Sequence, residues 1–244
     1  MPAMRSKPPL KTPTPRAKRV VAMPVIDATE AATFRRKLHA WYRVHSRDLP
    51  WRTTRDPYRI LVSELMLQQT QVSRVLDFYR RFLERFPDLD TLAAARPKRV
   101  MESWAGLGYY ARARNLHKLA KHVTRERDGV IPSEPSALRE LPGIGAYTAG
   151  AVASFAYEKR ASLVDTNVAR VLNRVFAPAI APKSGPGGKA LWSIAEQILP
   201  RTGKLTWTHN QALMELGALV CSARAPKCGG CPVRSVCRSV KSGG

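Results

Sequence analysis

Four cysteines within 17 residues are the feature that most restricts how this chain can fold. All of its cysteines, Cys221, Cys228, Cys231 and Cys237, lie in the segment CSARAPKCGGCPVRSVC of the 244-residue chain. A secreted disulfide scaffold spreads its cysteines along the chain, whereas this clustering is typical of one four-thiolate metal site. The spacing fits both zinc and an iron–sulfur cluster, so the cysteines alone leave the metal open. Four protein thiolates leave no free coordination position, so we expect a structural metal.

A large excess of positive charge indicates a polyanionic partner. The chain has 41 Lys and Arg against 18 Asp and Glu, a formal net charge of +23. Such a field attracts and steers nucleic acid, which is the first partner to consider. No apolar run approaches the roughly 20 residues of a spanning helix, and the first residues lack a signal-type apolar block. We therefore expect no membrane partner and an intracellular, cytoplasmic protein associated with the nucleoid.

Residues 1–26 differ in composition from the rest of the chain. They contain six basic residues, six prolines and no acidic residue. Such a segment buries too little apolar surface to offset its ordering entropy, so we expect a disordered basic arm. The arm either adds phosphate contacts or serves only to keep the protein in solution.

Helical periodicity dominates after residue 27, and no convincing strand pattern occurs, so we predict an all-α fold. Asp27 and Glu30 form a capping-box-like start for a first helix. Asp56 followed by Pro57 predicts the start of a second. Further helices are predicted at about 71–86, 110–126, 146–157, 167–177, 187–199 and 208–220.

The segment LPGIGAYTAG predicts a turn that opens a helix. Gly143 and Gly145 allow positive φ and close approach, so backbone N–H groups at the helix start can face a phosphate. With the short helix around PSALREL before it, the segment forms a helix–hairpin–helix. The alternative is an ordinary tight turn between helices.

Two carboxylates are candidates for acid–base chemistry. Glu64 follows Ile60 and Leu61 at helical spacing, so it lies on an apolar face where burial raises the pKa of a carboxyl. The alternative is a glutamate at the edge of that face, reaching solvent or an arginine. Asp165 begins a helix and is expected to be its N-cap. One protonated and one ionised carboxyl is the arrangement that cleaves a glycosidic bond.

Several motifs in one order resemble the helix–hairpin–helix DNA glycosylases. They are SELMLQQTQV, GLGYYARARNLHKLA, LPGIGAYTAG, VDTNVARVL and the cysteine loop, and the resemblance covers about residues 33–238. It is strongest to the adenine DNA glycosylase (MutY) family. It implies a six-helix barrel lobe of residues 53–160 and a lobe of residues 27–52 plus 161–240 that carries a [4Fe–4S] cluster on the four cysteines.

The resemblance also implies roles for individual residues. The catalytic residues would be Glu64, Asp165, Tyr147 and Asn167, and the base pocket would be Trp51, Arg52, Leu67 and Glu215. The DNA-binding residues would be Gln68, Gln69, Tyr109, Tyr110, Gly143 and Gly145. Core packing is the alternative for one of the two tyrosines. A phenol packed between two helices is the alternative for Tyr147.

The activity implied is that of a monofunctional glycosylase, expected as a monomer on double-stranded DNA, that removes adenine mispaired with guanine or 8-oxoguanine. The chain departs from the family pattern at Thr166, where glycine is common, and seven residues follow Cys237 where family members continue into an 8-oxoguanine recognition domain. One alternative is a thymine or uracil mismatch glycosylase. A second is an endonuclease III-type lyase, which places lysine where this chain has Tyr147. A third is a non-catalytic DNA-binding module.

Overall fold

The computed structural model describes residues 23–241, and every regular element in this range is helical, as predicted. Residues 1–22 of the predicted arm lie outside the described residues. The α-helices are α1 (Ala28–His45), α2 (Pro57–Leu67), α3 (Val72–Arg85), α4 (Leu89–Ala94), α5 (Pro97–Ser103), α6 (Ala111–Glu126), α7 (Pro135–Leu138), α8 (Ala146–Tyr157), α9 (Thr166–Phe176), α10 (Gly185–Gln197), α11 (Gly203–Leu219) and α12 (Arg238–Lys241). None of the described helices is long and apolar enough to span a membrane.

Aspartates cap the first two helices where the sequence predicts them. Asp27 accepts hydrogen bonds from the backbone N–H groups of Thr29 and Glu30, and Asp56 caps α2 ahead of Pro57. The predicted capping box is only half correct, because the Glu30 carboxylate forms an ion pair with Arg238 at 2.8 Å instead of returning to residue 27. The start of α1 is thereby connected to the end of the cysteine loop.

The structure differs from the prediction in three parts of the chain. The short helices α4 and α5 occupy a segment for which no helix was predicted, between the predicted ranges 71–86 and 110–126. The helix predicted to begin at 208 begins at Gly203, where the Thr202 side chain caps it. The N-terminal arm was predicted to extend to residue 26, but Pro24 and Ile26 hydrogen-bond to Gln197 of α10.

The contacts between helices divide them into two groups. Helix α2 packs against α3, α6 and α8, and α4, α5 and α7 complete this group. Helix α11 packs against α1 and α9, and α9 contacts α10 and α12. The α8–α11 contact joins the groups. The boundaries predicted for two lobes stay a prediction.

Helix α8 approaches its neighbours closely because its residues are small. Ala149, Gly150, Ala151 and Ala153 are all buried in it. A Cβ at Gly150 would lie 2.1 Å from the carbonyl oxygen of Ser162, so only glycine fits there. Helix α8 also packs along α2.

Candidate active site

A cavity of about 740 Å³ lies where α2, α8, α9 and α11 meet. Its volume is within the range typical of small-molecule sites. All four predicted catalytic residues and all four predicted base-pocket residues line it, together with Gln68, Gln69 and Gly145. Tyr109, Tyr110, Gly143 and the four cysteines lie outside this lining.

The Glu64 carboxyl is enclosed within the cavity wall. It is 3% exposed and accepts a 2.8 Å hydrogen bond from the Tyr147 hydroxyl. Burial raises the pKa of Glu64, the hydrogen bond from Tyr147 opposes that shift and the nearby Asp165 charge adds to it, so that the pKa of Glu64 lies at about 7. The alternative of a solvent-reaching glutamate is therefore wrong. A carboxyl with a pKa near neutrality can both give and take a proton at physiological pH.

The Tyr147 hydroxyl is a stable hydrogen-bond donor. Burial, followed by the charges of Glu64 and Asp165, raises the pKa of Tyr147 well above its ordinary value. The phenol therefore stays protonated and orients the Glu64 carboxyl. Its hydroxyl also lies 3.9 Å from the Met214 sulfur of α11.

Asp165 caps α9, as predicted, and both of its carboxylate oxygens are held. One oxygen accepts from the Val168 N–H at 2.6 Å, and the other accepts from the Asn167 amide at 3.2 Å. Burial raises the pKa of Asp165, and these hydrogen bonds oppose that shift. The helix start therefore holds the carboxylate in one orientation beside the cavity.

Glu215 lies on the cavity floor, and its carboxylate is paired with two arginines. Arg47 contacts it at 2.7 Å and Arg52 at 2.8 Å. Burial raises the pKa of Glu215, but the hydrogen bonds from both arginines outweigh burial and lower it to about 2. Arg52 also donates to Gln211 at 2.9 Å. Glu215 is thus an ionised anchor for the arginines.

The sequence did not identify Arg47 or Gln211 as part of the cavity, although both line it. Arg47 is 168 positions from its partner Glu215, so no local spacing relates them. The one available signal was the run RDLPWR, which places Arg47 close to the predicted pocket residue Trp51.

Two turns beside the cavity contain the predicted DNA-contacting side chains. Gln69 has φ of +56° and Tyr109 has φ of +49°, both unusual for residues other than glycine. Tyr109 is 58% exposed and Tyr110 is 40% exposed. Core packing, the alternative for one tyrosine, is therefore wrong for both. Gln68 donates to Thr148 of α8 at 3.4 Å.

The two hairpin glycines differ in their backbone conformation. Gly143 has φ of +79°, and a Cβ there would lie 2.6 Å from the Asn115 Cβ. Gly145 has φ of −91°, so it does not use the positive φ that glycine allows. It begins α8, and a Cβ there would meet nothing within 4 Å. Open space in front of a helix start is suitable for an anion.

The four cysteines are free thiols close enough to influence one another. Burial raises the pKa of the Cys231 thiol, and Cys221, Cys237 and Cys228 each raise it further. No set of three or more His, Cys, Asp or Glu side chains within residues 23–241 is spaced to hold one metal ion. The donor set is nevertheless all thiol, which suits soft metals and iron–sulfur clusters.

Two arginines one turn apart hold the cysteine loop against α9. Arg174 donates to the Ser222 carbonyl at 2.7 Å. Arg170 donates to the Cys221 carbonyl at 2.7 Å and to the Asn167 side chain at 2.8 Å. Because Asn167 donates to Asp165, continuous hydrogen bonds join the cysteine loop to the cavity.

The family model for HhH-GPD superfamily base excision DNA repair proteins matches residues 62–196. The chain belongs to this superfamily. It is 48% identical over 204 residues to the adenine DNA glycosylase of Mycolicibacterium smegmatis, covering 83% of this chain and 68% of that relative. It is 44% identical to the rat adenine DNA glycosylase, covering 87% of this chain and 43% of that relative. The chain thus spans less than half the length of the mammalian relatives it matches.

Thymine-DNA glycosylases within the same superfamily also match. The enzyme of Aeropyrum pernix is 37% identical over 214 residues, which cover 87% of this chain and 96% of that relative. A solved structure of a thermostable thymine-DNA glycosylase superposes with a TM-score of 0.81 at 32% identity, covering 88% of this HhH-GPD chain and all of the other. The predicted glycosylase fold is thereby confirmed.

Proposed function

We propose that this HhH-GPD protein is a monofunctional DNA glycosylase that hydrolyses the N-glycosidic bond of adenine mispaired with guanine or 8-oxoguanine. The observation that carries the proposal is the buried Glu64 carboxyl, with a pKa of about 7 and a hydrogen bond from Tyr147, in the same cavity as Asp165. The match to adenine DNA glycosylases of 44–48% identity supports adenine as the target.

The reaction follows from the two carboxyls. Protonated Glu64 donates its proton to a ring nitrogen of the extruded adenine, and the C1′–N bond breaks as the base leaves neutral. Ionised Asp165 stabilises the positive charge that develops on the sugar. Water then adds to C1′ and gives its proton to Glu64, which restores the acid and leaves an abasic site. Asn167 keeps Asp165 oriented.

The remaining cavity residues position the base. Trp51 is buried against Tyr79 with ring centroids 5.4 Å apart, and with Leu67 it provides an apolar wall. Arg52 is fixed by Glu215 and Gln211, so its guanidinium has one defined position beside the base. A base held this way must leave the duplex stack, which requires residues that occupy the gap.

Gln68, Gln69, Tyr109 and Tyr110 are proposed to occupy that gap and contact its surroundings. Gly143 and Gly145 at the start of α8 are proposed to bind the backbone phosphate nearby. The two helix groups then act as two lobes with double-stranded DNA bound across the cavity between them. The net charge of +23 supports a phosphate-rich partner.

Cys221, Cys228, Cys231 and Cys237 are proposed to hold a [4Fe–4S] cluster. Such a cluster would tie the loop together, and Arg170 and Arg174 connect that loop to α9. The purified protein should therefore be brown and contain about four iron and four sulfide per chain, as the cluster formula requires. A colourless protein with stoichiometric zinc would contradict this assignment.

A panel of duplexes tests the target base. Duplexes containing A·G, A·8-oxoguanine, T·G and U·G are incubated with the protein and then cleaved with alkali at abasic sites. Adenine release from A·G or A·8-oxoguanine is the expected result. Release of thymine from T·G without any adenine release would overturn it.

Thymine or uracil excision is the second candidate function. It is favoured by the match over 96% of the Aeropyrum pernix thymine-DNA glycosylase. The same acid and the same Asp165 would serve a pyrimidine leaving group, so the duplex panel separates the candidates directly.

A further inference from the structure

Two turns beside the cavity adopt backbone conformations that need support from their surroundings. Gln69 in the turn 67–71 and Tyr109 in the turn 106–110 both have positive φ. Each such residue costs about 1–3 kcal/mol and persists only where the structure around it fixes it. The group that holds both turns is the side chain of Arg112 on α6.

Arg112 binds four oxygen atoms, two in the last turn of α2 and two in the turn 67–71. The two N–H groups of its Nη1 face three carbonyls, those of Leu65 at 2.9 Å, Met66 at 2.7 Å and Gln68, so one N–H is shared between two of them. Its Nη2 donates to the Thr70 hydroxyl at 3.1 Å. The first two carbonyls belong to the last turn of α2, where carbonyl groups lack partners within the helix and a cation is favourable.

The same guanidinium holds the turn 106–110. It donates to the Gly108 carbonyl at 3.0 Å and to the Tyr109 carbonyl at 3.4 Å. It also lies over the Tyr109 ring at 5.3 Å and the Trp104 ring at 5.6 Å. Among the described residues its hydrogen-bond partners include no carboxylate, and its side chain is buried.

We propose that Arg112 is a positioning residue that sets the register between the acid-bearing helix α2 and the two turns that enter the DNA. Glu64 lies one residue before Leu65. The Arg112 guanidinium, which binds the last carbonyls of α2, therefore also fixes the positions of Gln69 and Tyr109 relative to the Glu64 carboxyl. This inference rests on the proposed function, since it specifies how base extrusion is matched to the position of the acid.

The planar fork of arginine is essential to this role. Lysine keeps the charge and a similar length, but its three donors radiate from one atom and cannot reach the six oxygens in α2 and the two turns. The turns 67–71 and 106–110 would then no longer be held in a fixed position relative to each other. A displacement of about 1 Å at a site of this kind can cost about 100-fold in rate.

The test uses Arg112→Lys in the full-length protein, with Arg125→Lys on the exposed end of the same helix as the matched control. Single-turnover release of adenine is measured from a continuous A·G duplex and from a duplex in which the adenine lies in an unpaired bulge. Unstacking on binding is followed by the fluorescence of 2-aminopurine at the target position. Thermal unfolding shows whether each variant is folded.

For Arg112→Lys we expect a loss of about tenfold or more on the continuous duplex, lower 2-aminopurine fluorescence and a clearly smaller loss on the bulge. The control should match the wild-type protein. Thr70→Val removes one hydrogen-bond acceptor of the Arg112 guanidinium and should show the same difference between the two substrates to a smaller extent. This variant replaces Arg112→Lys in the test if Arg112→Lys is unstable.

Wild-type rates for Arg112→Lys, or equal losses on both substrates, would overturn the proposal, because a general structural defect does not distinguish a paired adenine from an unpaired one. Failure of the wild-type protein to release any base would contradict the proposed function instead. The 2-aminopurine signal needs no excision, so it would still decide the role of Arg112.

Discussion

Glu64 is the residue on which the proposed chemistry depends, and Glu64→Gln tests it with little change in shape. The amide keeps the volume and can still accept from Tyr147, but it cannot donate a proton of comparable acidity. Loss of a general acid typically costs about 10²–10⁴-fold in rate. We expect single-turnover adenine release to fall by that factor while duplex binding stays within about threefold. Undiminished release by the variant would exclude Glu64 as the acid.

The raised pKa of Glu64 also has a consequence for stability. Because the folded-state pKa of about 7 exceeds the ordinary value of 4.5, the neutral form stabilises the folded protein below pH 4.5. That stabilisation is lost as the pH rises through 7, a difference on the order of 3 kcal/mol. Glu64→Gln should therefore gain stability relative to the wild-type protein between pH 5 and pH 8. Urea unfolding at both values measures this gain.

Tyr147 determines whether an amine can reach the sugar. Tyr147→Lys places an amine where the phenol now contacts Glu64 at 2.8 Å, and an amine can form a Schiff base with the opened sugar. We expect this variant to nick DNA without alkali and to form a covalent complex trapped by borohydride. Tyr147→Phe, which adds no nucleophile, is the matched control and should form no such complex. A variant that binds DNA yet gives no trapped product would show that position 147 does not face C1′.

At the scale of elements, the hairpin glycines have separable roles. Gly143→Ala forces a side chain into a positive-φ position and against Asn115, so we expect a destabilisation of about 1–3 kcal/mol. Gly145→Ala meets open space at an ordinary φ and should cost less than about 1 kcal/mol. If a phosphate approaches this helix start, Gly145→Ala will weaken duplex binding more than its small stability loss explains. Binding titrations alongside thermal unfolding distinguish the two effects, and unchanged affinity for Gly145→Ala would argue against a phosphate there.

Helices with a start signal and a long apolar pattern were predictable from the sequence, whereas helices of one or two turns were not. Asp56 with Pro57 marks the start of α2 correctly because a cap is a local interaction. The short helices α4 and α5 have local start signals too, in the Asp88 cap and in Pro97, but with six and seven residues they are too short to show a periodic apolar pattern, and their packing on α6 is not visible in the sequence. Glu64 could be placed on a buried face from its spacing, but its Tyr147 partner is 83 positions away and came only from a family resemblance.

At the scale of the whole molecule, the site depends on pairs that are distant in sequence. Arg47 and Arg52 come from the segment after α1, while Glu215 comes from α11 near the other end of the chain. The packing of α1 on α11 therefore brings the two sides of the cavity floor together. No periodicity or local spacing can report such a contact, which is why Arg47 and Gln211 emerged only from the structure.

The same α1–α11 interface contains a pair of histidines, His209 buried and His39 half-buried, that should make the fold sensitive to acid. His39 and His209 lie 3.3 Å apart through Nε2 and Nδ1. Burial lowers the pKa of His209 well below its ordinary value, and His39 and Arg35 lower it further. Burial also lowers the pKa of His39, as do Arg35 and Arg43. No carboxylate contributes to either shift, so a proton on this pair would be poorly compensated.

The sign of the effect follows from proton uptake. As the pH falls below about 6.5, the unfolded chain binds protons that the folded pair resists, so the free energy of unfolding decreases. Protonation of Glu64 increases stability as the pH falls through part of this range, which is the opposite effect. The pH dependence of unfolding is therefore best compared in a Glu64→Gln background. In that background we expect the free energy of unfolding to fall between pH 7.5 and pH 5.5. His209→Leu should reduce that fall. The control, His122→Leu on α6, should leave the fall unchanged. An equal fall with and without His209 would place the acid sensitivity elsewhere in this strongly basic molecule.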